Sequence, residues 1–392
     1  MATLTPLGLA EIKQIETEHQ PPLYSKRDIA LVRGEGAYLF DSDGKRYLDA
    51  MSNFGVSVLG HADPGFADAL ADQARTLANC HQSFYNDQRA MLMEELASIV
   101  PADLTRHFLA NSGSETIEGA IKFARGVTGK KKFVAAKRAY HGRTLGALAV
   151  TADPKYRAPF EPLAPTAHVA LDDAEALAAA IDDDTAAVIL EPIQGEAGIY
   201  PASADYLRAV REVTRDRGVL LIVDEIQTGF RTGAPFAITA SGVTPDILVT
   251  AKGLANGFPI GLASMTEAVS AALPAAAHGT TFGANPLACR AAVHTLRALR
   301  ERDLYATSGR LGAEIISRLE GLGHPKVRAV RGRGFMIGLE LKERITPYLK
   351  GLQDRGVLAL PANATTLRFL PPLIYGQEQA DELVGAVAEV LG

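Results

Sequence analysis

The sequence predicts an α/β fold: a large domain on a mostly parallel sheet, followed by a smaller α+β domain. Three observations carry this prediction. Short apolar runs alternate with helical stretches from about residue 105 to residue 250, the alternation of parallel strands with crossover helices. Several runs, such as Gly218-Val-Leu-Leu-Ile-Val-Asp224, are apolar almost without interruption, which suits strands buried on both faces. Past Asn285-Pro286 two long helical stretches come first and strands return only afterwards, the order of a separate α+β unit.

The elements follow from the N-terminal side. Gly36 to Asp49 reads as a hairpin, two strand-like runs around Asp43-Gly44. Gly60-His-Ala-Asp-Pro64 breaks the chain, and Phe66 to Asn79 is alanine-rich with helical spacing. Strands are expected at 106–110, 132–136, 186–190, 219–223 and 247–250, with a surface helix over 172–182. Helices are expected over 287–299 and 304–322, strands at 327–330, 335–341 and 366–369, and a last helix over 376–391. A domain boundary is expected near residue 290, giving a large domain of 61–289 and a small one of 290–392. Two glycine pairs, Gly34-Glu-Gly36 and Gly332-Arg-Gly334, precede apparent strands and not helices, so the strand–loop–helix context of a dinucleotide fingerprint is missing.

Bulk properties set bounds on function. At 392 residues the chain can bury about three quarters of its unfolded surface and needs no disulfide or metal staple. Forty Lys+Arg against 45 Asp+Glu give a net charge of −5, and no basic run is longer than Lys130-Lys131-Lys132, so no nucleic-acid footprint is expected. Cys80 and Cys289 are far apart, and the nine histidines form no metal-binding spacing. Residues 1–20 have no long apolar core, and no run approaches the roughly 20 residues that span a bilayer. No metal, no membrane and a cytoplasmic location are expected.

In an open α/β sheet, ligands bind beyond the carboxyl ends of the strands. Three segments stand there. Asn111-Ser-Gly-Ser-Glu115 opens a helix, whose free N–H groups and partial positive charge suit a phosphate; Gly113 permits close approach and Ser114 adds a hydroxyl. The same residues also suit a helix cap formed by Ser112 or Ser114 with Glu115 and Glu118. Asp224 follows a buried strand, where a carboxylate is costly unless it meets a cation such as a protonated pyridine nitrogen; a structural cap is the alternative. Lys252 follows another strand, where a desolvated lysine can act as nucleophile or base; a lysine reaching to solvent is the alternative. Together the three offer a phosphate cradle, a pyridinium partner and an amine, the three requirements of pyridoxal phosphate.

With further motifs, these residues resemble the fold-type I, class III pyridoxal-phosphate aminotransferases from about Gly34 to Pro372. The motifs are Asn111-Ser-Gly-Ser-Glu, Tyr140-His-Gly-Arg-Thr144, Glu191-Pro-Ile-Gln-Gly-Glu196, Asp224-Glu-Ile-Gln-Thr-Gly229, Lys252, His278-Gly-Thr-Thr-Phe-Gly283 with Asn285-Pro, and Leu367-Arg-Phe-Leu-Pro-Pro372. The acetylornithine/ornithine branch is most similar. Within it, Lys132–Ala136, Thr280-Thr281 and Gly338–Glu343 resemble the lysine-biosynthesis aminotransferase whose aminoadipate semialdehyde substrate is held on a carrier protein. Ser114, where threonine is commoner, and Leu254-Ala-Asn-Gly257, where glycines are commoner, depart from the family pattern and bear on substrate preference.

The resemblance implies that residues 1–60 join the small domain, so that both chain ends build it. It implies that Lys252 holds the cofactor and moves the proton, Asp224 keeps the ring nitrogen protonated, Tyr140 stacks on the ring and Gln227 bonds near its hydroxyl. Gly113, Ser114 and Thr281 would hold phosphate, Thr281 reaching the site of the neighbouring subunit in a homodimer with shared active sites. Arg143 and Arg368 would bind substrate carboxylates, Glu196 would gate Arg368, and Thr280 would touch the distal end of the donor. The implied reaction exchanges a terminal amino group with 2-oxoglutarate; the donor is N-acetylornithine or a carrier-bound lysine precursor. An ornithine or 4-aminobutyrate-type activity and an amino-acid racemase or aminomutase remain alternatives.

Overall fold

The structure, a computed structural model, describes residues 7–392. Its main sheet has seven strands in the order Arg106–Ala110, Gly261–Met265, Ile247–Thr250, Leu220–Asp224, Thr185–Leu190, Lys132–Ala136, Thr166–Val169. Gly261–Met265 is antiparallel to both neighbours, and the other pairings are parallel. Strand side chains alternate between faces, and the two faces feed two cores. Val188, Leu190, Leu221, Val223 and Leu248 enter one; Ala187, Ile189, Ile222, Ile247 and Val249 enter the other. The second core is roofed by the helix Gly113–Thr128 through Ile117, Ala120, Ile121 and Ala124. Burial on both faces is why these strands read as unbroken apolar runs.

Two strands of this sheet lie outside the expected set. Thr166–Val169 is one of the two edge strands, half-buried along most of its length. Gly-Leu-Ala-Ser-Met265 contains no β-branched residue. Its Gly261 is required by packing: a Cβ there would lie 2.1 Å from Thr116 Oγ1 and 2.5 Å from the Ser112 carbonyl. The strand therefore presses against the start of the helix Gly113–Thr128.

The chain ends meet in one unit. Leu31–Glu35, Tyr38–Asp41 and Arg46–Asp49 form an antiparallel sheet that Val357–Leu358 joins in parallel. A second sheet, in the order Val327–Arg333, Met336–Leu341, Thr366–Phe369, Leu360–Pro361, is wholly antiparallel. The helices Leu304–Gly321, Thr346–Asp354 and Gln377–Leu391 pack with these strands and with one another. The glycine pairs at 34/36 and 332/334 sit at hairpin turns. Residues 1–6 of the expected N-terminal segment lie outside the described residues. The boundary expected near residue 290 falls inside the helix Pro286–Glu301, which packs on Pro64–Thr76 and Asp87–Ala97. Asp303, with a φ of 50°, then turns the chain before the next helix. Among the described residues, no helix is long and apolar enough to cross a membrane.

Arg231 ties the units together. It is fully buried and donates to the carbonyls of Gly55 (2.7 Å), Phe335 (3.4 Å) and Pro371 (3.4 Å), with no carboxylate partner among the described residues. Burial pushes its guanidinium down to about 10. Replacing it with methionine keeps the stem and removes the donors, leaving three carbonyls short of partners. Arg231→Met is expected to lower stability by about 2–4 kcal/mol, read as a lower thermal unfolding midpoint; an unchanged midpoint would show that water replaces the guanidinium at no cost.

Candidate active site

Five strands of the main sheet end at one cavity of about 400 Å³. After Arg106–Ala110 come Asn111 to Ser114; after Lys132–Ala136, Tyr140 and His141; after Thr185–Leu190, Glu191; after Leu220–Asp224, Ile226 and Gln227; and after Ile247–Thr250, Lys252. All of these line it, with Glu196. The convergence is a consequence of parallel topology, which brings the carboxyl ends of the strands to one edge.

The first turn of the helix Gly113–Thr128 serves as both cap and cradle. Ser112 Oγ accepts from Glu115 N (3.2 Å), and Glu115 accepts from Asn111 N (2.8 Å). Glu118 is not part of the cap; it accepts from Gly146 N (2.7 Å) and Ala147 N (3.1 Å). The N–H groups of Gly113 and Ser114 belong to the first turn and have no intrahelical acceptor. The Ser114 hydroxyl meets Gly142, where a Cβ would lie only 2.2 Å away, and accepts from Arg143 N at 3.4 Å.

Asp224 is 4% exposed, and each carboxylate oxygen has a donor: Ile226 N at 2.9 Å and His141 Nδ1 at 2.7 Å. His141 is itself buried, and its Nε2 has no partner. Burial pushes the imidazole pKa down, but the hydrogen bond and charge of Asp224 outweigh it and hold it above the ordinary value. Glu191 closes the group, accepting from Tyr140 N and Gly195 N, both at 3.1 Å. Burial raises Glu191 to about 7 against the opposing pull of His141. Neither His141 nor Glu191 was among the expected site residues. Their signal was present, since each stands just past a buried strand inside a quoted motif.

Lys252 begins a single 3₁₀ turn at a φ of 42°. Burial lowers its amine to about 8; Arg368 adds to this, while Glu196 and Asp224 oppose it. A substantial neutral fraction is thus available near neutral pH, the nucleophilic form.

Opposite stands Arg368, fully buried on the strand Thr366–Phe369. It donates to Glu196 Oε1 at 2.5 Å, Gln227 Oε1 at 2.9 Å and the Pro361 carbonyl at 3.1 Å. Gln227 Nε2 also donates to Glu196 at 3.3 Å. Burial pushes the Glu196 carboxyl up, yet Arg368 prevails and leaves it below the usual range. Gln227 thus engages the Glu196–Arg368 pair while lining the cavity.

Four expected residues do not line this cavity: Arg368, which meets it through Glu196 and Gln227, and three that stand apart from it. Arg143 is exposed, its guanidinium 4.1 Å from the Tyr156 ring centre. Thr280 accepts from Asn111 (3.1 Å) and donates to Glu115 (3.2 Å), so its hydroxyl supports the helix cap and does not reach the cavity of its own chain. Thr281 is exposed and does not line the cavity either.

Residues 21–391 match the family model described as aminotransferase class-III. The chain belongs to this family. It is 44% identical over 381 residues to a [LysW]-aminoadipate semialdehyde transaminase of Deinococcus radiodurans, covering 96% of this chain and 89% of that one. It is 40% identical over 388 residues to an acetylornithine aminotransferase of Methanopyrus kandleri, covering 97% and 99%. A solved ornithine aminotransferase of Toxoplasma gondii, described with PLP at its active site, superposes with a TM-score of 0.92 at 30% identity, covering 97% and 94%. The class III aminotransferase is therefore a pyridoxal-phosphate (PLP) dependent transaminase. The cavity suits that cofactor on its own evidence: first-turn amides and a hydroxyl at one end, a buried carboxylate, an aromatic wall at Tyr140 and an amine of lowered pKa.

His141→Asn removes a charge-assisted hydrogen bond worth about 1.5–3 kcal/mol. It is expected to weaken PLP binding by about ten- to hundredfold, measured by titrating the apoenzyme; an unchanged Kd would remove His141 from the site. Uptake of PLP by the apoenzyme should quicken as pH rises and level off above about 8, because the protonated amine cannot attack. Uptake that is flat from about pH 6 to 9 would contradict a lowered Lys252 pKa.

Proposed function

We propose that this class III aminotransferase moves the terminal amino group of an acylated ornithine or a carrier-bound lysine precursor onto 2-oxoglutarate, in arginine or lysine biosynthesis. The names of the Deinococcus and Methanopyrus relatives support this choice of donors, and the former supports an amino-group carrier protein as partner. The observation that carries it is the Glu196–Arg368 pair at 2.5 Å beside Lys252.

In this reading Gly113 and Ser114 hold the phosphate, Asp224 the ring nitrogen, Tyr140 the ring face, and Lys252 anchors the cofactor. When bound, PLP supplies an electron-accepting ring that stabilises negative charge at the amine-bearing carbon of the substrate. Lys252 Nζ takes the proton from that carbon and, with the cofactor bound, would deliver it to the cofactor carbon that takes over the amino group. Asp224, held by His141, keeps a proton on the ring nitrogen. Arg143 at the rim binds the carboxylate of the donor. Glu196 covers Arg368 while an amine donor reacts; when glutamate enters, its carboxylate displaces Glu196 and takes the guanidinium, whose Nε is still unpartnered. Thr281, exposed on its own chain, serves the phosphate of a second copy in a homodimer.

Lys252→Ala is expected to abolish turnover; retained turnover would end the assignment. Arg368→Ala should slow the glutamate half-reaction by about thirtyfold or more and the donor half-reaction far less, read by single-turnover absorbance. Equal losses in both would contradict the gate. A strict need for 2-oxoglutarate separates transamination from racemase or aminomutase chemistry.

A further inference from the structure

Glu196 stands on a short loop that is held at several points. The loop leaves the strand Thr185–Leu190 at Glu191, and its Ile193–Gln194 pairs with Tyr200–Pro201 in a two-stranded ribbon. Residues 191–195 are all buried. Two side chains tie this loop to the turn that follows Lys132–Ala136. Glu191 does so with one carboxylate: one oxygen accepts from Tyr140 N and the other from Gly195 N, both at 3.1 Å. Gln194, fully buried, donates to the Lys137 carbonyl at 2.9 Å.

What stands beside the two amides gives the arrangement its meaning. Tyr140 is the aromatic wall of the cavity, and Gly195 immediately precedes Glu196. Gly195 is also pressed against Gln227: a Cβ there would lie 2.0 Å from Gln227 Oε1, the atom that accepts from Arg368. Glu191 therefore fixes the amide of Gly195 while the Gln227 carboxamide packs on its Cα. Glu196 is held through its side chain, by Arg368 at 2.5 Å and Gln227 at 3.3 Å.

We infer that Glu191 is a positioning residue for the gate. By holding Gly195 against Gln227 and tying it to Tyr140, it sets Glu196 on Arg368 from a fixed backbone, so that the gate opens by a swing of the Glu196 side chain alone. The inference rests on the proposed exchange of Glu196 for the carboxylate of glutamate, and it names the residue that decides how firmly the gate is closed. Freeing Gly195 costs the closed state more than the open one, because only the closed state needs Glu196 in one place. Glutamate, which competes with Glu196 for Arg368, then binds more tightly. The donor reacts more slowly, because an uncovered Arg368 competes with Arg143 for its carboxylate. A general structural defect would weaken both.

The test uses Glu191→Gln, which keeps the volume but turns an amide nitrogen toward one of the two N–H groups. Single-turnover absorbance of the PLP-loaded enzyme gives the half-saturating concentration and rate for glutamate and for N-acetylornithine. Half-saturating glutamate is expected to fall about five- to tenfold, the size of one lost hydrogen bond, while the N-acetylornithine half-reaction slows by a similar factor. Gln194→Met cuts the second tie and should shift both in the same directions, less strongly; it carries the same test if Glu191→Gln does not fold. In a Glu196→Ala background there is no gate to position, so adding Glu191→Gln should change the ratio of the two half-reactions no further. Losses in both half-reactions, or a Glu191→Gln shift that persists undiminished without Glu196, would overturn the inference. The two readings fail separately. A ratio that Glu196→Ala shifts but neither Glu191→Gln nor Gln194→Met shifts would strike the inference alone. A ratio that Glu196→Ala itself leaves unchanged would remove the gate, and the inference with it.

Discussion

A carboxylate buried at the end of a central strand is tolerated only when donors or a cation meet it. Asp224 imposes that condition, and much of the site follows from it. His141 supplies one donor and must be buried beside it, so the turn after Lys132–Ala136 has to fold over the end of Leu220–Asp224. The buried imidazole in turn favours a nearby acid, and Glu191 sits within its influence. Asp224 also acts on Lys252 across the cavity, opposing the effect of burial on the amine. An amine, a carboxylate and a helix start are thus held by packing at the edge of a rigid sheet.

The same logic extends to the second domain. Arg368 is buried on a strand of the small unit and finds its partners, Glu196 and Gln227, on the large one. Arg231 does the reverse, emerging from the large unit to bind carbonyls at Phe335 and Pro371. These two buried guanidiniums make the position of the small unit a condition of the charge state of the cavity. A shift between the units would strip Arg368 of its Glu196 and Gln227 acceptors and Arg231 of those at Phe335 and Pro371, at a cost of several kcal/mol for a buried charge.

The sequence made the centre of the sheet legible because strands buried on both faces have no polar residue to blur them. Residues 132–136 and 247–250 in the interior, and 106–110 at one edge, were bounded as found. Gly261–Met265 was not legible: it opens with a glycine because the helix Gly113–Thr128 lies against it, a constraint that no local pattern states. In the site, Lys252, Asp224, Tyr140, Gln227, Glu196, Gly113 and Ser114 line one cavity because strand ends identify themselves. His141 and Glu191 matter through contacts between strands distant in sequence. Thr280 and Thr281 lie outside the cavity of their own chain, and one chain cannot reveal what they meet in another.

The most direct measurement is the visible absorbance of the purified, PLP-loaded enzyme before and after addition of glutamate alone. The account predicts a band from cofactor bound at Lys252 that disappears as the amino group is transferred, with 2-oxoglutarate released in equal amount. A bound-cofactor band that ignores glutamate would contradict it, for it would mean that glutamate does not displace Glu196 from Arg368 as proposed.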